Sequence, residues 1–189
     1  MMHRTATMSA VLAIGLVAAQ LAAVHFATSS LVVRIVLPAT VALVPAALWA
    51  HRRHIGVWVM YVGLGANLVA ILANGGLMPI RRSTVADAIG SERAASYRAG
   101  GWVTHTKDVL VEDGEGHILA LGDSIVVPIG GNGIVASPGD LVVLAGIVVL
   151  AGEYAWRRQR HRSAAGRSLE TPPASVRTNG AEGGAATLP

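Results

Sequence analysis

The chain has 189 residues, of which 52% are hydrophobic and 14% charged, a balance that excludes an ordinary soluble domain and points to a protein held in lipid. Its net charge of +4 hides a split: six arginines stand against Glu170 and Glu182 from Arg157 onward, while residues 81–137 carry five basic and seven acidic residues. That local excess argues against nucleic-acid binding and for membrane orientation, and the absence of cysteine excludes disulfides and thiolate sites.

The fold class expected is a mainly α membrane protein, with four transmembrane helices and a small α+β extramembrane segment between helices 3 and 4. Residues 1–80 hold the first three spans, at about 8–27, 31–50 and 55–73, each long enough for a hydrocarbon core of ~30 Å. The first follows the basic start Met1–Arg4. It reads as an uncleaved span rather than a signal peptide, because His25-Phe26-Ala27 puts a histidine where a small residue is wanted. The second carries Arg34 near its start, where a long side chain can snorkel to headgroups, with Pro38 and Pro45 inside. His51-Arg52-Arg53-His54 makes a basic turn. The third span offers Gly63, Gly65, Ala66 and Ala70 for close packing and has Asn67 facing a neighbour. Asn74-Gly75-Gly76 ends it as a left-handed cap, and Pro79 follows.

Residues 81–137 form the extramembrane segment. Ser83–Asp87 starts a short helix that Gly90 ends, and Ser91-Glu92 starts another, reaching about Arg98. Val109–Val111 and Ile118–Leu121 are strand-like and joined by the turn Asp113–Gly116, and Ser124–Pro128 offers a third strand. The segment is too short for a large core and should lean on the helix ends. Residues 138–156 are the fourth span, opened by Ser137-Pro138 and the first-turn carboxylate of Asp140. Glu153 lies one turn before Arg157, a spacing at which they can pair. Residues 157–189 form a basic tail, disordered from Ser163 by its Gly, Ala, Ser, Thr and Pro content.

Four spans put both termini on one side. Met1–Arg4, His51–His54 and the tail are all basic, and Trp49, Trp58, Tyr154 and Trp156 flank the latter two. That side is expected to be cytoplasmic, in a multi-pass protein of a bacterial cell membrane; Arg81 and Arg82 lie against the rule. The bacterial assignment rests on composition, arginine outnumbering lysine fourteen to one with Lys107 the single lysine.

The ordered strings Asn74-Gly75-Gly76-Leu77-Met78-Pro79, Leu121-Gly122-Asp123 with Pro128, and Ser137-Pro138-Gly139-Asp140 before an apolar helix resemble a bacterial membrane family of unknown function, DUF5317, over about Asn74–Leu150. The resemblance implies an integral membrane protein and supplies no activity.

Candidate chemistry is sparse. Arg34, Asn74, Arg81, Arg82, Asp123 and Asp140 form a candidate polar cluster at the outer interface. Asp123 serves no obvious helix cap; it can pair with Arg81 or Arg82, bind a ligand, or stabilise a turn. His105, Asp108, Asp113, Glu115 and His117 lack a metal-site spacing, and no catalytic residue, metal or cofactor is assigned. The run Gly130-Gly131-Asn132-Gly133 lacks the Gly-Lys-Ser/Thr of a phosphate loop. The expected partners are the lipid bilayer and, through small-residue helix faces, further copies or another membrane protein. A non-enzymatic scaffold is the first expectation, small-molecule or lipid handling at the outer interface the alternative, and an interfacial enzyme the third.

Overall fold

A computed structural model describes residues 2–112, 114–129 and 132–170 of the chain. Four of its helices are long and apolar enough to cross a membrane: Thr7–Phe26, Ser30–His51, Ile55–Ala73 and Pro138–Arg160, of 20, 22, 19 and 23 residues. They lie in α1 (Met2–Phe26), α2 (Ser30–Ala47) with a 3-10 turn at Leu48–His51, α3 (Ile55–Ala73) and α6 (Pro138–Glu170). Between α3 and α6 come β1 (Met78–Arg81), α4 (Arg82–Ile89), α5 (Ser91–Ser96), β2 (Asp108–Val111), β3 (Ile125–Ile129) and β4 (Asn132–Ala136). The chain divides into two units, Met1–Glu153 and Tyr154–Pro189.

Glycine decides how α3 meets α6. A Cβ on Gly56 would stand 2.6 Å from the Gly146 carbonyl, and one on Gly63 would stand 2.6 Å from the Gly139 carbonyl and 2.8 Å from the Val143 amide. The two backbones therefore touch, running antiparallel, through glycines seven residues apart on each helix. Of the small residues expected on this face, Gly63 and Ala70 are buried, whereas a Cβ on Gly65 would meet nothing within 4 Å. The backbone at the N-terminus of α3 is met by α6 as well: Ile55 N–H donates to Glu153 Oε1 at 3.0 Å, and Glu153 Oε2 lies 3.3 Å from His54 Nδ1. Glu153 thus serves the free amides of α3, not the local pair expected with Arg157.

The C-terminus of α3 is a Schellman motif. Gly76 N–H donates to the Ile71 carbonyl and Gly75 N–H to that of Leu72, with Gly75 at φ +68° and Gly76 at φ +88°. Arg34 reaches across from α2 and donates to the Gly75 carbonyl at 2.6 Å, so its charge locks two helix ends together. Gly76 packs so tightly that a Cβ would stand 2.5 Å from the Arg34 carbonyl.

The segment between α3 and α6 leans on the helices as expected. Leu77, Met78 and Val109 share a buried cluster with Val33, Leu37 and Ile71 of the spans, while Ile80, Val85, Ala94, Val103 and Leu110 make a second small core. The two expected helices form, as α4 and α5. Two strand expectations fail. Ile118–Leu121 is no strand: Ile118 sits at φ +53° and Leu119–Leu121 is a 3-10 turn. Asn74 captures the chain just before it, donating to the His117 carbonyl and accepting from its amide. In place of the hairpin expected there, β2 pairs in parallel with β1. The third strand forms as β3, and its antiparallel partner is β4.

Outward faces stay apolar: Val11, Leu12, Ile14, Val17 and Leu21 of α1, Val62, Val69 and Leu72 of α3, and Leu144, Ile147 and Val148 of α6 are exposed, as lipid contact requires. In the second unit α6 runs on to Glu170, past Ser163, where disorder was expected. Ala164, Ala165, Arg167 and Leu169 are good helix formers, which a compositional argument overlooks. The remainder of the expected tail, from Thr171, lies outside the described residues.

Candidate functional site: a half-buried lysine among three aspartates

The site is built on a turn. Gly101–Val103 runs antiparallel to the start of β2, with Leu110 N–H donating to the Gly101 carbonyl and Val103 N–H to that of Asp108. Thr104 to Lys107 reverse the chain, with His105 at φ +62°. Thr106 Oγ1 accepts from the Asp108 amide at 3.0 Å and donates to the Val103 carbonyl, closing the turn. Lys107 is then fixed against β1, since its carbonyl accepts from Met78 N–H at 2.9 Å.

Asp123 comes to the other side of β1. Its amide donates to the Pro79 carbonyl at 3.0 Å, and a side chain on Gly122 would collide with that same carbonyl. The Leu121-Gly122-Asp123 string therefore has a physical reason: only glycine allows the approach that buries Asp123, which is 2% exposed.

α6 supplies the third wall. Ser137 Oγ accepts from Asp140 N–H, and Ser137 N–H donates to Asp140 Oδ2, both at 3.0 Å. This is the reciprocal capping box expected of the motif. Asp140 does more than cap. Its Oδ1 accepts from Asn67 Nδ2 of α3 at 2.7 Å, and its Oδ2 lies 3.2 Å from Lys107 Nζ. Ser137 Oγ in turn donates to Asn67 Oδ1 at 3.0 Å. Asn67 thus faces a neighbouring helix, as expected.

Lys107 is the hinge of the arrangement, bonded to Asp123 at 3.0 Å and to Asp140 at 3.2 Å. Burial alone would depress its pKa, but the carboxylates of Asp123, Asp108 and Asp140 outweigh that and hold it above its ordinary value. Asp108, next in sequence and 6% exposed, is pushed well above the usual carboxyl range by burial and by the Asp123 carboxylate. Burial raises Asp123 too, against the pull of Lys107. Asp108 Oδ1 is fully buried and has no hydrogen-bond partner among the described residues.

Lys107, Asp108 and Asp123 of this centre line a cleft of about 680 Å³. Leu21 and Val24 of α1, Val85 and Ile89 of α4 and Val135 of β4 line its apolar part; Lys107, Asp108 and Asp123 line its polar part, with Arg93 also on the wall. The His105 ring nitrogen Nδ1 donates to the His25 carbonyl at 3.0 Å, tying the turn to the end of α1 beside the cleft.

The residues expected to form one outer cluster fall into separate places. Arg34 and Asn74 hold the end of α3. Arg82 pairs with Glu112 at 2.7 Å and donates to the Ala94 carbonyl, bracing α4 against α5. Arg81 is exposed. Only Asp123 and Asp140 meet, through Lys107. The expected partners of Asp123, Arg81 and Arg82, are therefore replaced by Lys107: Glu112 takes Arg82, and the turn before β2 brings Lys107 within 3.0 Å of Asp123. Lys107, Asp108, Asn67 and Ser137 were missed as members of one centre; the single lysine in an arginine-rich chain was the available signal. Among the described residues no three His, Asp or Glu side chains converge as a metal would require.

The family model described as a family of unknown function, DUF5317, matches residues 2–151, most of the chain, and the protein belongs to that family. No curated protein and no solved structure matches it.

Proposed function

We propose that this DUF5317 protein is a multi-pass membrane protein that binds an amphiphile, a lipid or lipid-like small molecule, in the cleft between α1 and the segment preceding α6. The observation that carries the proposal is the composition of that cleft: a mostly apolar lining, to which α1 gives Gln20, Leu21 and Val24, together with the Lys107–Asp123 ion pair. An apolar pocket with a few convergent polar groups is the usual form of a small-molecule site, and here one wall belongs to a helix fit to sit in hydrocarbon. Purified in mild detergent, the wild type should retain an amphiphile at about one per chain by native mass spectrometry. Ile89→Trp, which fills the cleft from a half-buried position, should retain none while keeping its helical circular dichroism. Equal retention in both proteins, or none in either, counts against the proposal.

A scaffold role through helix faces is the second proposal. It is supported by α1, of whose apolar window only 6% is buried, although acyl chains would cover the same surface. Cross-linking that traps no species larger than a monomer would remove it. Among the described residues, the Ser137 hydroxyl is committed to Asn67 and offers no support for a serine nucleophile. For orientation, the basic ends support a cytoplasmic location of the termini. A cysteine placed at exposed Glu92 should label with an impermeant thiol reagent on intact cells, and one at Arg160 should not; the reverse pattern inverts the topology.

A further inference from the structure

The first helix carries a second hollow. Ala10, Ala13, Ile14, Val17, Ala18 and Leu21 recur every three or four residues, so they fall on one face of α1. With Val44 of α2 and Met60 of α3 they line a groove of about 440 Å³, a size usual for small-molecule sites. Among the described residues no polar side chain lines it. Two bonds hold α1 to α2 at the ends of the groove: Ser9 Oγ donates to the Ala47 carbonyl, and Thr40 Oγ1 donates to Gln20 Oε1 at 3.0 Å. Ile14, Val17 and Leu21 are exposed, so the groove opens toward hydrocarbon. Leu21 also lines the cleft, as does Val24, the next residue on the same stripe.

We propose, resting on the amphiphile reading above, that the groove holds the tail of the cleft's amphiphile, an unbranched hydrocarbon chain that passes over Leu21 and runs along α1 to Ala10. The lining decides the chemistry: nothing in it can bond a polar group, so only hydrocarbon enters without loss. The length decides the size. From Leu21 to Ala10 is about 16 Å at 1.5 Å per residue, the extent of a straight chain of about twelve to fourteen carbons. The width excludes a second helix. Over that length the groove leaves the breadth of one chain, well short of the roughly 10–12 Å of a helix with its side chains. Leu21 distinguishes this chain from an ordinary bilayer tail, because a chain lying over it has its polar end in the cleft that Lys107 and Asp123 also line.

The test uses the full chain in lipid nanodiscs, with 1-hexanol and 1-tetradecanol as probes, each carrying a photoreactive diazirine beside its terminal methyl, and the labelled residues mapped by mass spectrometry. The short probe should label residues 21–24. The long probe should label residues 10–14 about five-fold more than the lipid-facing Val62 and Val148, the occupancy that one net hydrogen bond at its polar end supports. Ile89→Trp, which fills the cleft, should bring the label at residues 10–14 down to that of Val62 and Val148. Ala18→Trp, which fills the groove from an exposed position, should remove the long probe's label there and leave the short probe's label unchanged, so a folding artefact is excluded. A label at residues 10–14 no stronger than at Val62 and Val148 means bulk lipid only and overturns the proposal. So does a label there that Ile89→Trp leaves undiminished, and so does an inter-chain disulfide formed by Ala18→Cys, which gives the groove to a second copy. Where native mass spectrometry still finds an amphiphile retained, each of these results leaves the amphiphile reading standing; where it finds none, both readings fall.

Discussion

Lys107→Met is expected to lower the stability of the protein by about 3–5 kcal/mol, the usual cost of removing one member of a buried ion pair. The substitution keeps most of the unbranched apolar stem of the side chain and deletes the ammonium, with its charge and its three donors. Asp123, 2% exposed, would lose its cation, and Asp140 would keep only Asn67 and the Ser137 amide. Both carboxylates would then stand with Asp108 beside a cleft whose other lining cation is the exposed Arg93. The loss should appear in thermal or denaturant unfolding in detergent. Lys107→Met combined with Asp123→Asn should recover part of it, because one unpaired charge is removed along with its partner. A loss below about 1 kcal/mol would place the ammonium in the solvent-exposed class of ion pairs and end its role as the hinge of the site.

Gly63→Val is expected to cost about 2–3 kcal/mol, at the upper end for an overpacked contact. The reason is what the new Cβ meets: the Gly139 carbonyl at 2.6 Å and the Val143 amide at 2.8 Å. These are backbone atoms of α6, which cannot rotate away as a side chain end would. The two helices must separate, and with them the bond from Asn67 to Asp140 that brings α6 to the charged centre. Gly65→Val, two residues along the same helix, is the control. Its Cβ would enter open space, so the change should fall within about 0.5 kcal/mol of wild type. Equal effects at the two positions would mean that α3 and α6 do not meet through the glycine face.

The two substitutions also separate what each part of the sequence was able to declare. Apolar runs of span length are a one-dimensional property, since a helix in lipid satisfies its own backbone and needs no partner to exist. The four spans were therefore legible, as were the two caps that are local in the chain. Asn74-Gly75-Gly76 closes α3, and Ser137 with Asp140 opens α6, each within a few residues. The short helices α4 and α5 were legible for the same reason. Ile118–Leu121 was misread because its alternatives differ in a contact with Asn74, 43 residues away, and local strand propensity does not register that.

What the sequence determined by itself is the set of membrane-length helices, their caps and the existence of a folded segment between the third and the fourth, because hydropathy and capping act over a few neighbouring residues. What only the tertiary structure decided is which charges meet. Asp123 had two candidate cations in the sequence, Arg81 and Arg82, yet its partner is Lys107, because β1 lies between β2, which the Lys107 turn precedes, and the bridge that Asp123 makes to Ile80. Asp140 had a complete local explanation as a cap, and nothing in its neighbours announced that Asn67 and Lys107 would reach it. Charge pairing depends on distance in space and on the low dielectric that burial creates, and neither exists until the chain has folded.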